Sequence, residues 1–134
     1  MKVKQFLKSF DAFSKKKQSN EDGSFSFEKI VIFAKNKDDG LEYGFSTKSM
    51  IDSSNGGLAL LLEKREPSAG NDPYFNKEIK ADDWILYPSN VYNSSKRYEN
   101  SEFRAQLPGH KIMKVKDVKF KMVNDVCQIW LVLF

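Results

Sequence analysis

The first seventeen residues carry a single apolar stripe. Val3, Phe6, Leu7, Phe10 and Phe13 recur at intervals of three or four residues, which places their side chains on one face of an α-helix. Lysines occupy much of the remaining surface, and turn-forming residues follow from residue 18. The pattern therefore predicts a basic amphipathic helix over residues 1–17, with its apolar face buried against the rest of the chain.

After residue 24 the hydrophobic period changes from helical to strand-like. Residues 30–34 are apolar on both alternating faces, which predicts a strand that is covered on both sides. The dipeptide Asp39-Gly40 predicts the turn of a hairpin. Further short strands are predicted over residues 41–45, 58–65, 74–79 and 84–87, with a short helix as the alternative for residues 58–65.

Pro88 separates the last of these strands from a polar segment. Residues 88–101 are rich in Ser, Asn and Tyr, and proline removes a backbone donor that a continuing strand would need. We therefore predict that this segment is a loop.

The last third of the chain alternates between apolar and polar residues again. Residues 112–122 predict a strand, but the apolar parity slips near Lys116-Asp117, which indicates a bulge or bend there. Asn124-Asp125 predicts a turn onto residues 126–134, whose two faces are both largely apolar. A strand of that kind is expected in the middle of a sheet rather than at its edge.

These elements predict an α+β fold, in which the N-terminal helix packs on a mostly antiparallel, strongly twisted sheet. A partly open barrel is an alternative form of that sheet. The length of 134 residues fits one domain over residues 1–134. Residues 24–134 would form its strand-rich body.

Little in the sequence predicts catalysis. The chain has one cysteine, Cys127, and one histidine, His110, so it lacks the clustered ligands of a metal site and the usual acid–base groups. We expect a non-enzymatic protein without cofactor or metal. No targeting or membrane-spanning stretch is evident, and an unpaired cysteine favours a reducing compartment. We therefore expect a cytoplasmic protein that does not contact a membrane.

The net charge of +4 conceals a strong segregation of charge along the chain. Residues 1–17 carry six lysines and one aspartate, and residues 103–124 carry six basic residues and one aspartate. Between them, residues 18–102 carry fifteen acidic and ten basic residues. If the N-terminal helix packs beside the C-terminal hairpin, the two basic segments would form one patch that attracts polyanions.

The first functional hypothesis is that the protein binds nucleic acid through this basic surface. Tyr92 and Tyr98, with Tyr87 nearby, lie around Lys96 and Arg97, and exposed aromatic rings can stack on bases. The predicted binding residues are Lys2, Lys4, Lys8, Lys15, Lys16, Lys17, Tyr92, Lys96, Arg97, Tyr98, Lys114, Lys116, Lys119 and Lys121.

The alternative hypothesis is a protein–protein interaction module. It would be an accessory, assembly or inhibitor protein of the kind that phage and plasmid genomes carry. Segregated basic and acidic surfaces suit electrostatically steered docking on an acidic protein surface, or self-association. The apolar C-terminal strand, which ends at Phe134, is a candidate for an intermolecular sheet.

Overall fold

A computed structural model describes residues 1–17, 27–52, 57–65 and 80–134. Its two α-helices are α1 (Val3–Lys17) and α2 (Pro88–Lys96), and a 3₁₀ turn spans Ala81–Trp84. The strands are β1 (Lys29–Lys35), β2 (Glu42–Phe45), β3 (Ile51–Asp52), β4 (Gly57–Leu61), β5 (Glu63–Arg65), β6 (Glu102–Gln106), β7 (Met113–Val123) and β8 (Val126–Leu133). Within these ranges, no helix is long and apolar enough to cross a membrane.

The strands form one mixed sheet with the order β3-β4-β6-β7-β8-β1-β2-β5. Two neighbouring pairs, β1 with β8 and β4 with β6, are parallel, and the other pairs are antiparallel. The predicted α+β class is therefore confirmed, with the N-terminal helix on a mostly antiparallel sheet. Strand β8 lies between β7 and β1, as its two apolar faces predicted.

The sheet curves strongly because one short segment reaches both ends of the strand order. Strands β4 and β5 are separated by Leu62 alone, yet β5 is the last strand at one end and β4 lies next to the last at the other. The Leu62 N–H donates to the Gln106 carbonyl on β6, whereas Glu63 pairs with Gly44 on β2. Among the described strands, no ladder closes the sheet into a barrel.

Helix α1 lies on the concave face of this sheet, where its phenylalanines interlock with those of the strands. The Phe6 ring meets Phe103 edge-on at a centroid distance of 4.9 Å, and the Phe13 ring stacks on Phe120 at 5.1 Å. Phe10 meets Phe27 at 5.6 Å. These rings belong to the main hydrophobic core. The apolar stripe of α1 is therefore buried against the sheet, as its spacing predicted.

A second, smaller cluster covers the opposite face of β1. The Arg65 guanidinium lies 4.0 Å from the centroid of the Phe33 ring and 5.0 Å from that of Trp84. It also forms an ion pair with Glu42. Gly44 permits this arrangement, because a Cβ atom there would lie 2.6 Å from the Trp84 ring and would also collide with Arg65. The prediction that β1 is covered on both sides is therefore confirmed.

Both predicted irregularities of the C-terminal hairpin are present. The β7–β8 register shifts between Val115 and Asp117, which confirms the bulge. Asn124 and Asp125 have φ values of 49° and 65°, as a tight hairpin turn with two left-handed residues requires.

The predicted loop over residues 88–101 is wrong, because its first part is helix α2. Pro88 occupies the first turn of α2, where its missing N–H is not needed and its fixed φ suits the helix. The Ser and Asn residues of α2 have low helix propensity, but Ser95 is buried and Val91 packs on the core. Tertiary packing therefore stabilises a helix that its composition does not predict.

Four further predictions about strands require correction or lie outside the described residues. The segment 84–87 contains the end of the 3₁₀ turn and a single bridge between Leu86 and Ile30, not a strand. The predicted strand 58–65 is two strands on different ladders. Strand β8 cannot add to an intermolecular sheet while paired on both sides. The predicted strand over residues 74–79 lies outside the described residues.

We expect Phe6→Ala to lower the free energy of unfolding by about 3–5 kcal/mol, the usual cost of removing a buried Phe ring. Phe6 is 1% exposed. The matched control is Phe134→Ala, because Phe134 is 68% exposed and should lose less than about 1 kcal/mol. Chemical denaturation measures both. Equal losses would contradict the placement of α1 on the core.

Candidate nucleic-acid interface

A groove between α1 and α2 collects several of the predicted binding residues. Its volume is about 590 Å³, within the range of ligand sites in general. We call it the α1–α2 groove, and its lining residues are Lys4, Gln5, Leu7, Lys8, Asp11, Tyr92, Lys96 and Glu99. The structure therefore brings lysines of α1 together with Tyr92 and Lys96 of α2.

The rotation of α1 follows from its apolar stripe. Phe6, Phe10 and Phe13 face the core. The opposite side of α1 is therefore exposed, and it carries a charged stripe formed by Lys4, Lys8, Asp11 and Lys15. Part of this outer surface faces α2, whose residues Tyr92 and Lys96 are one helical turn apart. The positions of the charged residues along each helix therefore determine which charged side chains of α1 and α2 line the same groove.

Backbone hydrogen bonds hold the start of α1 against residues 99–101, which follow α2. The N–H groups of Val3 and Lys4 donate to the carbonyls of Ser101 and Glu99, both at 2.9 Å. The first N–H groups of a helix have no partner inside the helix, so these bonds satisfy two of them.

The groove has a positive electrostatic balance. Lys4, Lys8 and Lys96 line it against the carboxylates of Asp11 and Glu99. The Asp11 charge is offset by Lys15, whose Nζ lies 3.1 Å from the Asp11 carboxylate. The Lys96 Nζ lies 5.8 Å from the centroid of the Tyr92 ring, within cation–π range. The groove therefore contains one half-buried aromatic ring next to the Lys96 ammonium, and Lys4 and Lys8 are among its other lining residues.

The lysines of the C-terminal hairpin lie on the other face of the sheet. Phe120 contacts α1 on the concave face. Since neighbouring strand residues point to opposite faces, Lys119 and Lys121 project from the convex face, where both are exposed. Lys114 is exposed beside the buried Val115 in the same way. The structure therefore does not merge the two basic segments into one face.

The other predicted residues lie around these two surfaces. Lys2 is exposed and pairs with Glu102 in an isolated bridge. Arg97 is exposed just after α2, whereas Tyr98 is half-buried against the main core. The Lys116 Nζ lies 5.9 Å from the Phe134 ring centroid. Lys16 and Lys17 are the last two residues of α1.

Sequence reasoning missed several residues at these surfaces. Gln5, Asp11 and Glu99 line the groove without having been singled out. Asp11 follows Lys4 by seven residues and Lys8 by three, and this helical spacing could have placed it on the lysine stripe. On the convex face, half-buried Trp130 pairs with Lys119, and the alternation of β8 could have indicated that contact.

The single cysteine and the single histidine, the two residues considered for catalysis, differ strongly in their exposure to solvent. Cys127 is fully buried on β8, whereas His110 is exposed in a turn. Burial raises the pKa of the Cys127 thiol from 9.0 to about 12, which suppresses the reactive thiolate. Within the described ranges, no three His, Cys, Asp or Glu residues cluster as metal ligands would.

Comparison with models of protein families, with curated proteins and with solved structures found no match to this chain. Its function must therefore be inferred from the geometry of its own surfaces.

Native Cys127 should react with Ellman's reagent at pH 8 at least about 100-fold more slowly than in denaturing guanidinium chloride, because its thiol is buried and protonated. Because the folded state keeps this thiol protonated above its ordinary pKa of 9.0, the free energy of unfolding should fall as the pH rises from about 9 towards 12. Reaction at the same rate in both solutions would contradict the burial of Cys127.

Proposed function

We propose that this protein is a non-enzymatic binder of single-stranded nucleic acid, and that the α1–α2 groove is its binding site. The observation that carries the proposal is that Lys4, Lys8 and Lys96 line the same groove as the half-buried ring of Tyr92, with the Lys96 Nζ 5.8 Å from the ring centroid. A cationic groove with an aromatic ring inside it is the common arrangement of sequence-tolerant single-strand binding.

The lysines would contact the phosphates. Lys4 and Lys8 are one helical turn apart on α1 and face Lys96 across the groove, so a backbone that follows the groove passes cations on both sides. Each phosphate that a lysine neutralises releases condensed counterions. The affinity would therefore fall as the salt concentration rises.

Tyr92 would supply the contact to a base. Its ring is packed partly against the core, which limits its motion, and the remaining part lies in the groove. Stacking on such a ring contributes about 1–3 kcal/mol per base. In a duplex the base faces are already stacked, so this contact favours a single strand.

The lysines on the convex face of the sheet are a weaker candidate for the binding site. Lys119 and Lys121 lie in a row beside Gln128 and Trp130 on β8 and project from the convex face of the sheet, on the side away from α1 and α2. Because removing charge there changes the total charge of the protein equally, that face provides the control for the groove.

The test is the fluorescence anisotropy of a labelled oligo(dT) at several salt concentrations. We expect the triple variant Lys4→Gln, Lys8→Gln, Lys96→Gln to weaken binding at least about tenfold and to reduce the slope of log affinity against log salt by about 2, since each single-strand phosphate contributes about 0.7. The matched control is Lys114→Gln, Lys119→Gln, Lys121→Gln, which should change the affinity by less than about threefold.

Two outcomes would overturn the proposal. The wild-type protein would fail to bind the oligonucleotide at about 50 mM salt, a concentration at which phosphate contacts are strong. Alternatively, both triple variants would weaken binding equally, in which case total charge and not the groove would account for the affinity.

A further inference from the structure

The opposite side of α2 covers an apolar cavity with a volume of about 280 Å³. It lies between α2, the end of β2 and strand β4, on the concave face of the sheet. We call it the α2 cavity. It is distinct from the α1–α2 groove, because the two have no lining residue in common.

The deep wall of the α2 cavity is built from core side chains. Phe6, Leu58 and Phe103 line it, and each is 2% exposed or less. Apolar cavities bind apolar molecules: benzene occupies an engineered one of about 150 Å³.

Two exposed apolar side chains stand at the mouth of this cavity. Ile51 is 42% exposed and Tyr87 is 59% exposed, and both line it. Large apolar side chains of a folded protein are normally removed from water. A ligand that entered the α2 cavity would cover part of both.

The lining also defines the chemistry of the ligand. Among the described residues that line the α2 cavity, none is Lys, Arg, His, Asp or Glu, so nothing there compensates a charge taken out of water. Thr47, Asn90 and Ser94 lie at the exposed rim and offer hydrogen-bonding groups. In proportion to the benzene cavity, the volume accommodates about eleven non-hydrogen atoms.

We infer that the α2 cavity binds a small uncharged apolar molecule of about this size, with its polar end at the rim formed by Thr47, Asn90 and Ser94. The deep wall of Phe6, Leu58 and Phe103 would contact its apolar body. This inference stands independently of nucleic-acid binding.

The test titrates the ¹⁵N-labelled protein with 1-naphthol, which has the expected size and is neutral at pH 7, and follows the amide NMR signals. We expect saturable shifts at Ile51, Leu58, Val91 and Ser94. The charged analogue 1-naphthalenesulfonate should cause none of them, because the lining offers no cation.

Plugging variants locate the site. Ser94→Phe places a ring in the cavity from α2, and Thr47→Trp does so from the opposite rim, so each should weaken 1-naphthol binding at least tenfold. The matched control is Asn93→Phe, an exposed position on α2 that does not line the cavity, and it should leave the affinity unchanged. If Ser94→Phe does not fold, Thr47→Trp decides.

Binding that is lost in the plugging variants and kept in Asn93→Phe would support the inference. The absence of saturable shifts in the wild-type protein would overturn it. Equal affinity in the folded plugging variants and the control would overturn it too, as would equal binding of the sulfonate.

Discussion

The packing of the α1 phenylalanines against the concave face of the sheet is the constraint on which the rest of the structure depends. Phe6, Phe10 and Phe13 interlock with rings from β6, β7 and the segment before β1. A helix with one apolar stripe has only one rotation that buries it, so this contact also decides where the lysines of α1 lie. The positive charge is therefore presented to α2 because the opposite side of α1 is held by aromatic contacts.

The second constraint is the path of residues 57–65. This short segment pairs with β6 through β4 and with β2 through β5, so the sheet must bend until its two ends approach each other. The bend creates a concave face that α1 alone does not fill. Helix α2 covers the remainder of this face. One side of α2 lines the α1–α2 groove, and its opposite side lines the α2 cavity. The position of α2 thus links both candidate sites to the curvature of the sheet.

Local periodicity predicted the parts of the fold that depend on local pattern. The bounds of α1, the hairpin turns at Gly40 and Asn124-Asp125, the β7 bulge and the central position of β8 all follow from short-range spacing. Helix α2 was missed because its Ser and Asn residues favour loops and its stability comes from packing. The break at Leu62 was missed because only pairing with distant strands distinguishes β4 from β5. The composition of the α1–α2 groove could be predicted only in part for the same reason. The sequence pattern assigns each lysine to a face of a helix or strand, but long-range contacts determine which faces lie next to each other.

We propose the α1–α2 groove, and not basic charge in general, as the nucleic-acid interface. The most direct measurement is an NMR titration of the ¹⁵N-labelled protein with unlabelled oligo(dT) at low salt, with the shifted amides mapped on the structure. We expect the largest shifts on both helices, at Lys4, Lys8, Tyr92 and Lys96, while the amides of β7 and β8 remain unchanged. Shifts centred on Lys119, Lys121 and Trp130, or none at saturating oligonucleotide, would contradict it.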